Sequence, residues 1–394
     1  MNILIVGGGI GGLSAALCLA KTGYSVDVLE QASQFTEAGA GIQLSPNCSQ
    51  VLLHLGLKSD LDDLGFLPTA IQFRQWHSGK VISEQPLEHA VEQFGSPYYH
   101  IHRGDLLHIL VKAANVHPNI RLHTNVHVET FSETSQGIEV NSSEQSFSGD
   151  VLVGADGIHS SVRRQLWGEQ APNFTGNIAW RALVPSNNLP SGLIRPMSTA
   201  WWGPGKHFVH YYVGGGKYVN CVCVVEKQGW QIESWTEPGE LTELKADFSG
   251  WHKEIQTLFD GMQVDSLFKW ALFDRAPMPQ WGKGCATLLG DACHPTLPFM
   301  AQGAAMAIED AAVLAGCLKQ VQTPQPHKIS DALQRYENLR KKRTAGIQLG
   351  SRRNAKTFHL SGIKAWLRNR AARAAGASVT NRLYAYDALT AANH

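Results

Sequence analysis

The first twelve residues constrain the fold more than any other part of this chain. An apolar run from Met1 to Val6 leads directly into Gly7-Gly8-Gly9-Ile10-Gly11-Gly12, and a helix-forming segment follows. A strand, a Gly-x-Gly-x-x-Gly turn and a helix together bind the pyrophosphate of a dinucleotide at the helix N-terminus. Gly7 permits the tight turn, Gly9 lets the backbone approach the phosphates, and Gly12 lets the helix pack closely on the strand. The chain therefore predicts a Rossmann-like α/β domain at its start.

An acidic residue stands where such a site uses one. The segment from Ser25 to Leu29 predicts a second strand, and Glu30 follows it, about 20 residues after the glycine turn. At that position a carboxylate accepts hydrogen bonds from the hydroxyls of the adenosine ribose. The turn and the acid do not by themselves distinguish NAD from FAD.

Size and composition limit the alternatives. The 394 residues suffice for two joined domains or for one large domain with an insertion. A net charge of +1 gives no electrostatic basis for binding nucleic acid. No apolar stretch has the length of about 20 residues that is needed to span a bilayer. The seven cysteines form no Cys-x-x-Cys pair, and Cys293-His294 has no partners at the spacing of a metal site. We therefore expect a cytoplasmic protein without a bound metal, as a monomer or a homodimer.

The pattern of predicted elements changes twice along the chain. Residues 1–176 mix βα units with short antiparallel strands, residues 177–275 are rich in aromatic strands, and residues 276–394 return to a buried strand followed by helices. This order predicts an antiparallel sheet inserted between two parts of the nucleotide domain. Within the insertion, the segment from Leu241 to Phe259 predicts one helical stretch. In the last part, a long basic helix carries Arg340-Lys341-Lys342-Arg343, which we interpret as a solvated face.

Three separated motifs stand in one order along the chain. They are the glycine turn, the segment from Gly154 to Arg163 that contains Asp156-Gly157, and Gly290-Asp291-Ala292-Cys293-His294-Pro295. Together they resemble the single-component (group A) FAD-dependent aromatic hydroxylases, whose fold is that of p-hydroxybenzoate hydroxylase. The resemblance covers nearly the whole chain. It implies a Rossmann-like FAD-binding domain, an inserted antiparallel β-sheet substrate domain and C-terminal helices.

Four further segments carry a narrower resemblance: Gly41 to Asn47, Trp201 to Pro204, His207 with Tyr211, and Pro298 to Ala304. They are similar to the branch that holds salicylate hydroxylase, 3-hydroxybenzoate 6-hydroxylase and 6-hydroxynicotinate 3-monooxygenase. This resemblance implies a monooxygenase that hydroxylates a small phenolic aromatic acid with NAD(P)H and O2 through a C4a-hydroperoxyflavin. The flavin supplies that chemistry, while the protein orients the substrate, removes its proton and excludes water.

The resemblance also implies which residues hold FAD. The glycine turn takes the pyrophosphate, Glu30 the ribose and Asp291 the ribityl hydroxyls, whereas Asp156 also meets the nicotinamide donor. A helix that begins after Pro298 points its positive N-terminus at the flavin, where it favours the anionic reduced form. The complete set of predicted cofactor residues is Gly7, Gly9, Gly12, Glu30, Arg103, Asp156, Gly290, Asp291, Pro298 and Gly303.

His207 is the predicted catalytic base. An electrophilic hydroxylation needs a phenolate rather than a phenol, and histidine exchanges a proton near neutral pH. In a strand from His207 to Val213, alternate residues share a face, so His207 and Tyr211 point into the same pocket. A purely structural role is the alternative for His207, and Tyr211 is either a hydrogen-bond donor to the substrate or a packing residue. Gln302 is a further candidate for holding the ring oxygen, and Gln43 for contacting the substrate.

Several questions stay open on sequence alone. A flavin-dependent NAD(P)H oxidase or reductase, which forms no C–O bond, has the same cofactor residues, and so does a catalytically silent flavoprotein that acts as a binding module. The chain contains no second complete dinucleotide turn, so nothing selects NADH or NADPH. The aromatic acid, and whether its hydroxylation releases CO2, depend on pocket geometry at a scale of about 1 Å.

Overall fold

The computed structural model describes residues 1–36, 40–134, 137–227, 229–230, 232, 237–321, 323–376 and 378–393. In chain order the strands are β1 (Asn2–Val6), β2 (Ser25–Leu29), β3 (Gly41–Leu44), β4 (Ala70–Gln75), β5 (Val81–Pro86), β6 (Tyr99–His102), β7 (Ile120–His123), β8 (Val128–Thr134), β9 (Gly137–Ser142), β10 (Ser146–Gly149), β11 (Val151–Gly154), β12 (Asn173–Pro185), β13 (Ser198–Gly203), β14 (Lys206–Val213), β15 (Tyr218–Glu226), β16 (Phe268–Asp274) and β17 (Ala286–Leu288). The α-helices are α1 (Ile10–Lys21), α2 (Pro46–His54), α3 (Lys58–Leu64), α4 (Ala90–Phe94), α5 (Arg103–Val116), α6 (Ser161–Trp167), α7 (Leu241–Asp247), α8 (Lys253–Asp260), α9 (Gly303–Leu318), α10 (Pro326–Phe358), α11 (Gly362–Ala375) and α12 (Ser378–Tyr384). Among these helices, none combines the length and the apolar character that crossing a membrane requires.

A five-stranded parallel sheet forms the first layer, in the order β17-β11-β1-β2-β7. Strands β1 and β11 are almost continuously apolar because helices cover both faces of such a sheet. Helices α1 and α9 pack against each other beside the sheet. Parallel strands end at the same side of a sheet, so the turns after β1, β2, β11 and β17 lie together. We call this side the carboxyl edge; it carries Gly7–Gly12, Glu30, Asp156 and Gly290–Asp291.

A seven-stranded sheet forms the second layer, in the order β16-β12-β15-β14-β13-β4-β5. Its pairings are antiparallel except for β13 with β4. Strands β4 and β5 form an antiparallel pair that extends the sheet from the first part of the chain. Two smaller sheets, β3-β6 and β10-β9-β8, complete the fold.

The two faces of the seven-stranded sheet have different partners. One face carries Cys221 and Cys223, and it packs against α7 and α8 through Phe248, Ile255 and Phe259 in a closed apolar core. The other face, which we call the inner face, carries Trp202, His207, Tyr211, Asn220 and Val224, because in-register residues share a side. The inner face meets the turn at residues 297–299 and the end of α10. It therefore points toward the parallel-sheet layer.

Two sequence expectations about helices are corrected. The stretch from Leu241 to Phe259 forms two helices, α7 and α8, rather than one. Only Lys341 and Lys342 of the basic run on α10 face solvent: Arg340 is fully buried, and the side chain of Arg343 is only 15% exposed. The reason is a pair of buried acids on α9, which draws these two cations inward.

Candidate active site

The glycine turn is shaped by close backbone contacts that leave no room for side chains. Gly7 has a φ of +104°, and a Cβ placed there would lie 2.5 Å from the carbonyl oxygen of Ala155. A Cβ on Gly12 would lie 1.9 Å from the carbonyl oxygen of Gly7. Helix α1 begins after Gly9, and no side chain caps its first amides. Those amides are therefore available to an anionic ligand such as a pyrophosphate.

Glu30 is held beside this turn by the backbone. One carboxylate oxygen accepts a hydrogen bond from the N–H of Gly8 at 2.7 Å, and the other accepts from the N–H of Ala32 at 2.9 Å. Each carboxylate oxygen has a second lone pair, which ribose hydroxyls can use. The carboxylate is thus fixed in orientation before any ligand arrives.

Asp156 and Asp291 occupy neighbouring turns of the carboxyl edge. Oδ2 of Asp156 accepts hydrogen bonds from the N–H and the hydroxyl of Ser161 at 2.7 and 3.0 Å. Oδ1 of Asp156 is buried and has no hydrogen-bond partner among the described residues. Asp291 is exposed in the turn Gly290–Ala292, and Gly290 holds that turn with a φ of +63° and a bond to Asp310 at 3.1 Å.

The N-terminus of α9 is the fourth part of the edge. The turn Pro298–Met300 and Ala301, with a φ of +51°, lead into Gln302, and no side chain caps the first amides of α9 at Gly303. The amide of Gln302 is buried: its oxygen accepts from Asn47 at 3.0 Å and its nitrogen donates to Ser45 at 2.9 Å. Gln302 therefore ties α9 to the segment after β3, and its amide is engaged there.

Arg103 begins helix α5 rather than the carboxyl edge itself. Its backbone N–H donates to the carbonyl of Ala40 at 2.8 Å, so α5 starts directly beside strand β3. The side chain is half-buried and takes part in polar contacts. Arg103 therefore lies close to the N-terminal end of β3, the strand that contacts the inner face.

A buried ion network lies behind the edge, and the sequence analysis did not identify it. Arg340 contacts Glu309 and Asp310 at 2.6 Å each, and Arg343 contacts Glu309 at 2.7 Å. Asp310 also accepts from His294 at 2.5 Å, besides its bond to Gly290. Because a buried charge is tolerated only when it is paired, the network fixes the position of the Gly290 turn. Two adjacent acids within the apolar sequence of α9 were the signal for buried partners.

The same network bears on the cluster of Cys293, His294 and Asp310, whose ligand atoms lie within 4.8 Å of one another. The carboxylate of Asp310 already accepts from Arg340 and His294. Burial raises the pKa of the Cys293 thiol well above its usual value, which disfavours the thiolate that binds metals. This cluster is therefore explained by the ion network.

His207 lies on the inner face at the end nearest to α10. It is 3% exposed, and the rings of Phe299 and Phe358 lie 4.9 and 5.5 Å from its ring. Its Nδ1 lies 2.9 Å from Nε2 of His359, whose Nδ1 lies 2.7 Å from the carboxylate of Glu226. Burial, together with His359, lowers the pKa of His207 well below its usual value. The imidazole is therefore neutral at neutral pH.

Tyr211 lies at the other end of the same strand, close to the polar side chains of Gln43 and Tyr98. The amide oxygen of Gln43 accepts from the hydroxyl of Tyr98 at 2.6 Å, and its nitrogen donates to Ser198 at 3.1 Å. Burial raises the pKa of Tyr211 above its usual value, so the hydroxyl keeps its proton and can donate. His100 packs 4.5 Å from Tyr211, and neither of its ring nitrogens has a hydrogen-bond partner among the described residues. No sequence pattern singled out His100.

Two contacts fix the distance between strand β3 and the inner face at this end. The N–H of Gly41 donates to the amide oxygen of Asn220 at 2.7 Å. A Cβ on Gly41 would lie 2.7 Å from Asn220 and 2.8 Å from Tyr211. Strand β3 therefore lies against the inner face because residue 41 has no side chain.

Comparisons with known proteins agree with this geometry. An FAD-binding domain family model matches residues 1–348. The chain is 36% identical over 360 residues to 6-hydroxynicotinate 3-monooxygenase of Pseudomonas fluorescens, covering 88% of this chain and 89% of that protein. It is 38% identical over 371 residues to 3-hydroxybenzoate 6-hydroxylase 1 of Aquipseudomonas alcaligenes, covering 93% and 92%. A crystal structure of Klebsiella pneumoniae HpxO with FAD and uric acid superposes with a TM-score of 0.86 at 25% identity, covering 99% and 97%.

The chain therefore belongs to the FAD-binding domain family and is an FAD-dependent aromatic monooxygenase. The residues fit that cofactor: the glycine turn excludes side chains where the pyrophosphate would lie, and uncapped amides begin α1 and α9. The buried Oδ1 of Asp156 is a further open acceptor at the same edge. The FAD-binding fold, the inserted antiparallel sheet and the C-terminal helices predicted from the sequence are confirmed.

Proposed function

We propose that this enzyme hydroxylates a small aromatic acid whose ring hydroxyl and carboxylate stand on non-adjacent ring carbons, using NAD(P)H and O2. 3-Hydroxybenzoate and 6-hydroxynicotinate have this arrangement, and salicylate does not. The names of two relatives at 36–38% identity refer to substrates of the first kind. FAD, when bound, supplies the redox and oxygen chemistry.

The spacing of two side chains on β14 carries the proposal. His207 and Tyr211 share the inner face and are four residues apart, or about 13 Å along a strand at about 3.3 Å per residue. Val209 lies between them on the same face and offers an apolar floor for a ring. An aromatic ring with polar groups on opposite or alternate carbons can contact both His207 and Tyr211. Two polar groups on neighbouring carbons can contact only one of these residues.

His207 takes the hydroxyl proton in this proposal. Its neutral imidazole can accept that proton, and the resulting phenolate is the form that an electrophilic oxygen attacks. The aromatic side chains of Phe299 and Phe358 exclude water around the ring of His207. Exclusion of water strengthens each polar contact inside the pocket.

Tyr211 and Gln43 receive the carboxylate. The hydroxyl of Tyr211 stays protonated and can donate to the carboxylate, and the amide of Gln43, which is hydrogen-bonded to Ser198 and to Tyr211, lies beside it. Arg181 lies on the same face, with its guanidinium 4.3 Å above the ring of Trp270, and adds positive potential at this end. For Gln302 we propose a positioning role at the start of α9, since Ser45 and Asn47 engage its amide.

The cofactor assignments are proposed on the same footing. Gly7, Gly9 and Gly12 hold the pyrophosphate, and Glu30 holds the ribose. The other turns of the carboxyl edge, together with the Pro298–Gly303 segment and Arg103, hold the remaining parts of FAD. We also infer a cytoplasmic location, because all seven cysteines are free thiols in buried positions, as a reducing compartment allows.

The test is a panel of salicylate, 3-hydroxybenzoate and 6-hydroxynicotinate, with NAD(P)H oxidation, peroxide, CO2 and hydroxylated product followed together. We expect coupled product from one of the latter two acids and uncoupled NAD(P)H oxidation with salicylate. Product from salicylate alone would contradict the spacing argument. Peroxide without product from all three acids would instead favour an oxidase.

A further inference from the structure

We propose that Glu226 and His359 form a relay that carries the substrate's phenolic proton from His207 to solvent. This inference rests on the proposed role of His207 as the base. The relay joins three segments that are distant in sequence: strand β14, the end of strand β15 and the residue that follows helix α10. None of its members beyond His207 belongs to a sequence motif.

The hydrogen-bond directions follow from the chemistry of the last member. A carboxylate only accepts hydrogen bonds, so the 2.7 Å contact to Glu226 requires a proton on Nδ1 of His359. A neutral His359 then has an unprotonated Nε2, which accepts from Nδ1–H of His207 at 2.9 Å. Neutral His207 is left with an unprotonated Nε2. The chain of contacts therefore selects the tautomer that a general base needs.

Proton transfer along this chain balances. Nε2 of His207 takes the phenolic proton as the O–H bond breaks, and Nδ1 of His207 gives its own proton to Nε2 of His359. Nδ1 of His359 in turn gives its proton to the carboxylate of Glu226, which releases it to water. Each imidazole ends neutral with its proton on the opposite nitrogen, and the substrate ends as a phenolate. The tautomers reset when the chain runs in reverse, with water protonating Glu226 and Nε2 of His207 returning a proton to the oxygen of the product.

Burial explains why a relay is needed. The side chain of His359 is 2% exposed, and burial lowers its pKa despite its bond to Glu226. Neither buried imidazole is suited to store a positive charge, so the proton must move on. Arg368 on α11 adds to this, because its guanidinium, bound to the carbonyls of Thr357 and Phe358, opposes a positive charge on His359.

The outer end of the relay is open to water. The side chain of Glu226 is 54% exposed, and it lines a surface pocket of about 460 Å³. Asp274, Arg352 and Lys356 line the same pocket. These polar walls admit water, which accepts the proton. The relay therefore connects the dry inner face to solvent without opening the pocket around His207.

The test uses oxidised holoenzyme mixed with 3-hydroxybenzoate in weak buffer containing an indicator dye, so that proton release is timed without turnover. We expect Glu226→Gln to slow release by about tenfold or more, since the amide keeps the contact but cannot accept the proton as a carboxylate does. Glu226→Asp should restore much of the rate, and Glu129→Gln, an exposed residue of β8, should behave as wild type. His359→Gln should resemble Glu226→Gln.

A second measurement needs no ligand. Nitrogen-15 NMR of histidine-labelled holoenzyme should show His207 as the Nδ1–H tautomer, and His359→Gln or Glu226→Gln should shift it toward a mixture. If Glu226→Gln releases protons at the wild-type rate while His207→Ala does not, the relay is wrong and the base stands. If release survives in His207→Ala, the proposed base is wrong and the relay is wrong with it. An Nε2–H tautomer of His207 in the wild type would also overturn the relay.

Discussion

The carboxyl edge and the inner face are built in different ways. The edge consists of turns whose backbone amides and glycine conformations are encoded within a few consecutive residues, such as Gly7–Gly12. The inner face consists of side chains from β12, β13, β14 and β15, which only the folded sheet brings together. In our proposal the first region binds the cofactor by backbone shape, whereas the second acts through the chemistry of individual side chains. Mutations should therefore separate cofactor binding from coupled product formation.

The largest effect is expected from Gly12→Ala. The added Cβ would lie 1.9 Å from the carbonyl oxygen of Gly7, a contact that cannot be relieved without moving the turn. We expect loss of FAD retention and of much soluble protein, measured by flavin absorbance after gel filtration. Gly346→Ala is the matched control, because its Cβ meets nothing and a helix interior favours alanine by about 1 kcal/mol. Retention of FAD by Gly12→Ala would show that the turn tolerates displacement.

His207→Ala should impair the inner face and leave the carboxyl edge intact. We expect FAD to stay bound and product formation to fall by about 100-fold or more, while NAD(P)H oxidation continues and yields peroxide. Oxygen electrode and product assays measure the coupling. His108→Ala, which removes an exposed histidine on α5, serves as the control. Normal product formation by His207→Ala near pH 7 would remove the catalytic assignment.

Arg340→Leu tests whether the buried ion network stabilises the carboxyl edge. Removing one partner of a buried ion pair leaves Glu309 and Asp310 short of a counter-charge, which costs about 3–5 kcal/mol of unfolding free energy. Denaturant unfolding of the holoenzyme measures this cost. Lys342→Leu, one residue outside the described network, should cost far less. Equal stability of the two variants would mean that the network is not needed to hold the Gly290 turn.

Buried neutral histidines predict a smaller, graded decrease of the unfolding free energy in acid. Burial lowers the pKa of His100 and of His210 to about 3, whereas an unfolded histidine titrates near 6.5. The unfolded chain then binds more protons below pH 6.5, so stability falls as the pH drops from 6.5 toward 3. Each residue contributes about 1.4 kcal/mol per pH unit. His100→Phe should flatten the measured dependence of unfolding free energy on pH, and an unchanged slope would contradict the assignment.

Tyr211→Phe is expected to give the smallest change. Loss of one hydrogen bond to a carboxylate costs about 1.5 kcal/mol, or roughly a tenfold increase in KM, with little change in kcat. Steady-state kinetics with 3-hydroxybenzoate and 6-hydroxynicotinate measure it. Tyr212→Phe, on the opposite face of the same strand, should leave KM unchanged. A fall in kcat alone would instead place Tyr211 in the chemical step.

The contrast also explains which parts of the molecule could be predicted from the sequence. The glycine turn, Glu30 and the Gly290-Asp291 turn are local patterns, and their placement at one edge follows from parallel strands. The shared direction of His207 and Tyr211 follows from strand periodicity. The partners of His207 could not be predicted, because Glu226 and His359 come from other elements and have no recognisable spacing. Arg340 was misinterpreted because a basic run on a helix resembles a solvated face until its buried acids are considered.

The contact at Gly41 has a consequence for how such an enzyme can change. Strand β3 approaches the inner face closely at a position where a hydrogen atom replaces a side chain. A methyl group there would act as a wedge against Asn220 and against Tyr211, the residue that we propose receives the carboxylate. Even the smallest side chain at residue 41 would therefore reshape the proposed acid-binding end of the inner face from a strand outside that sheet.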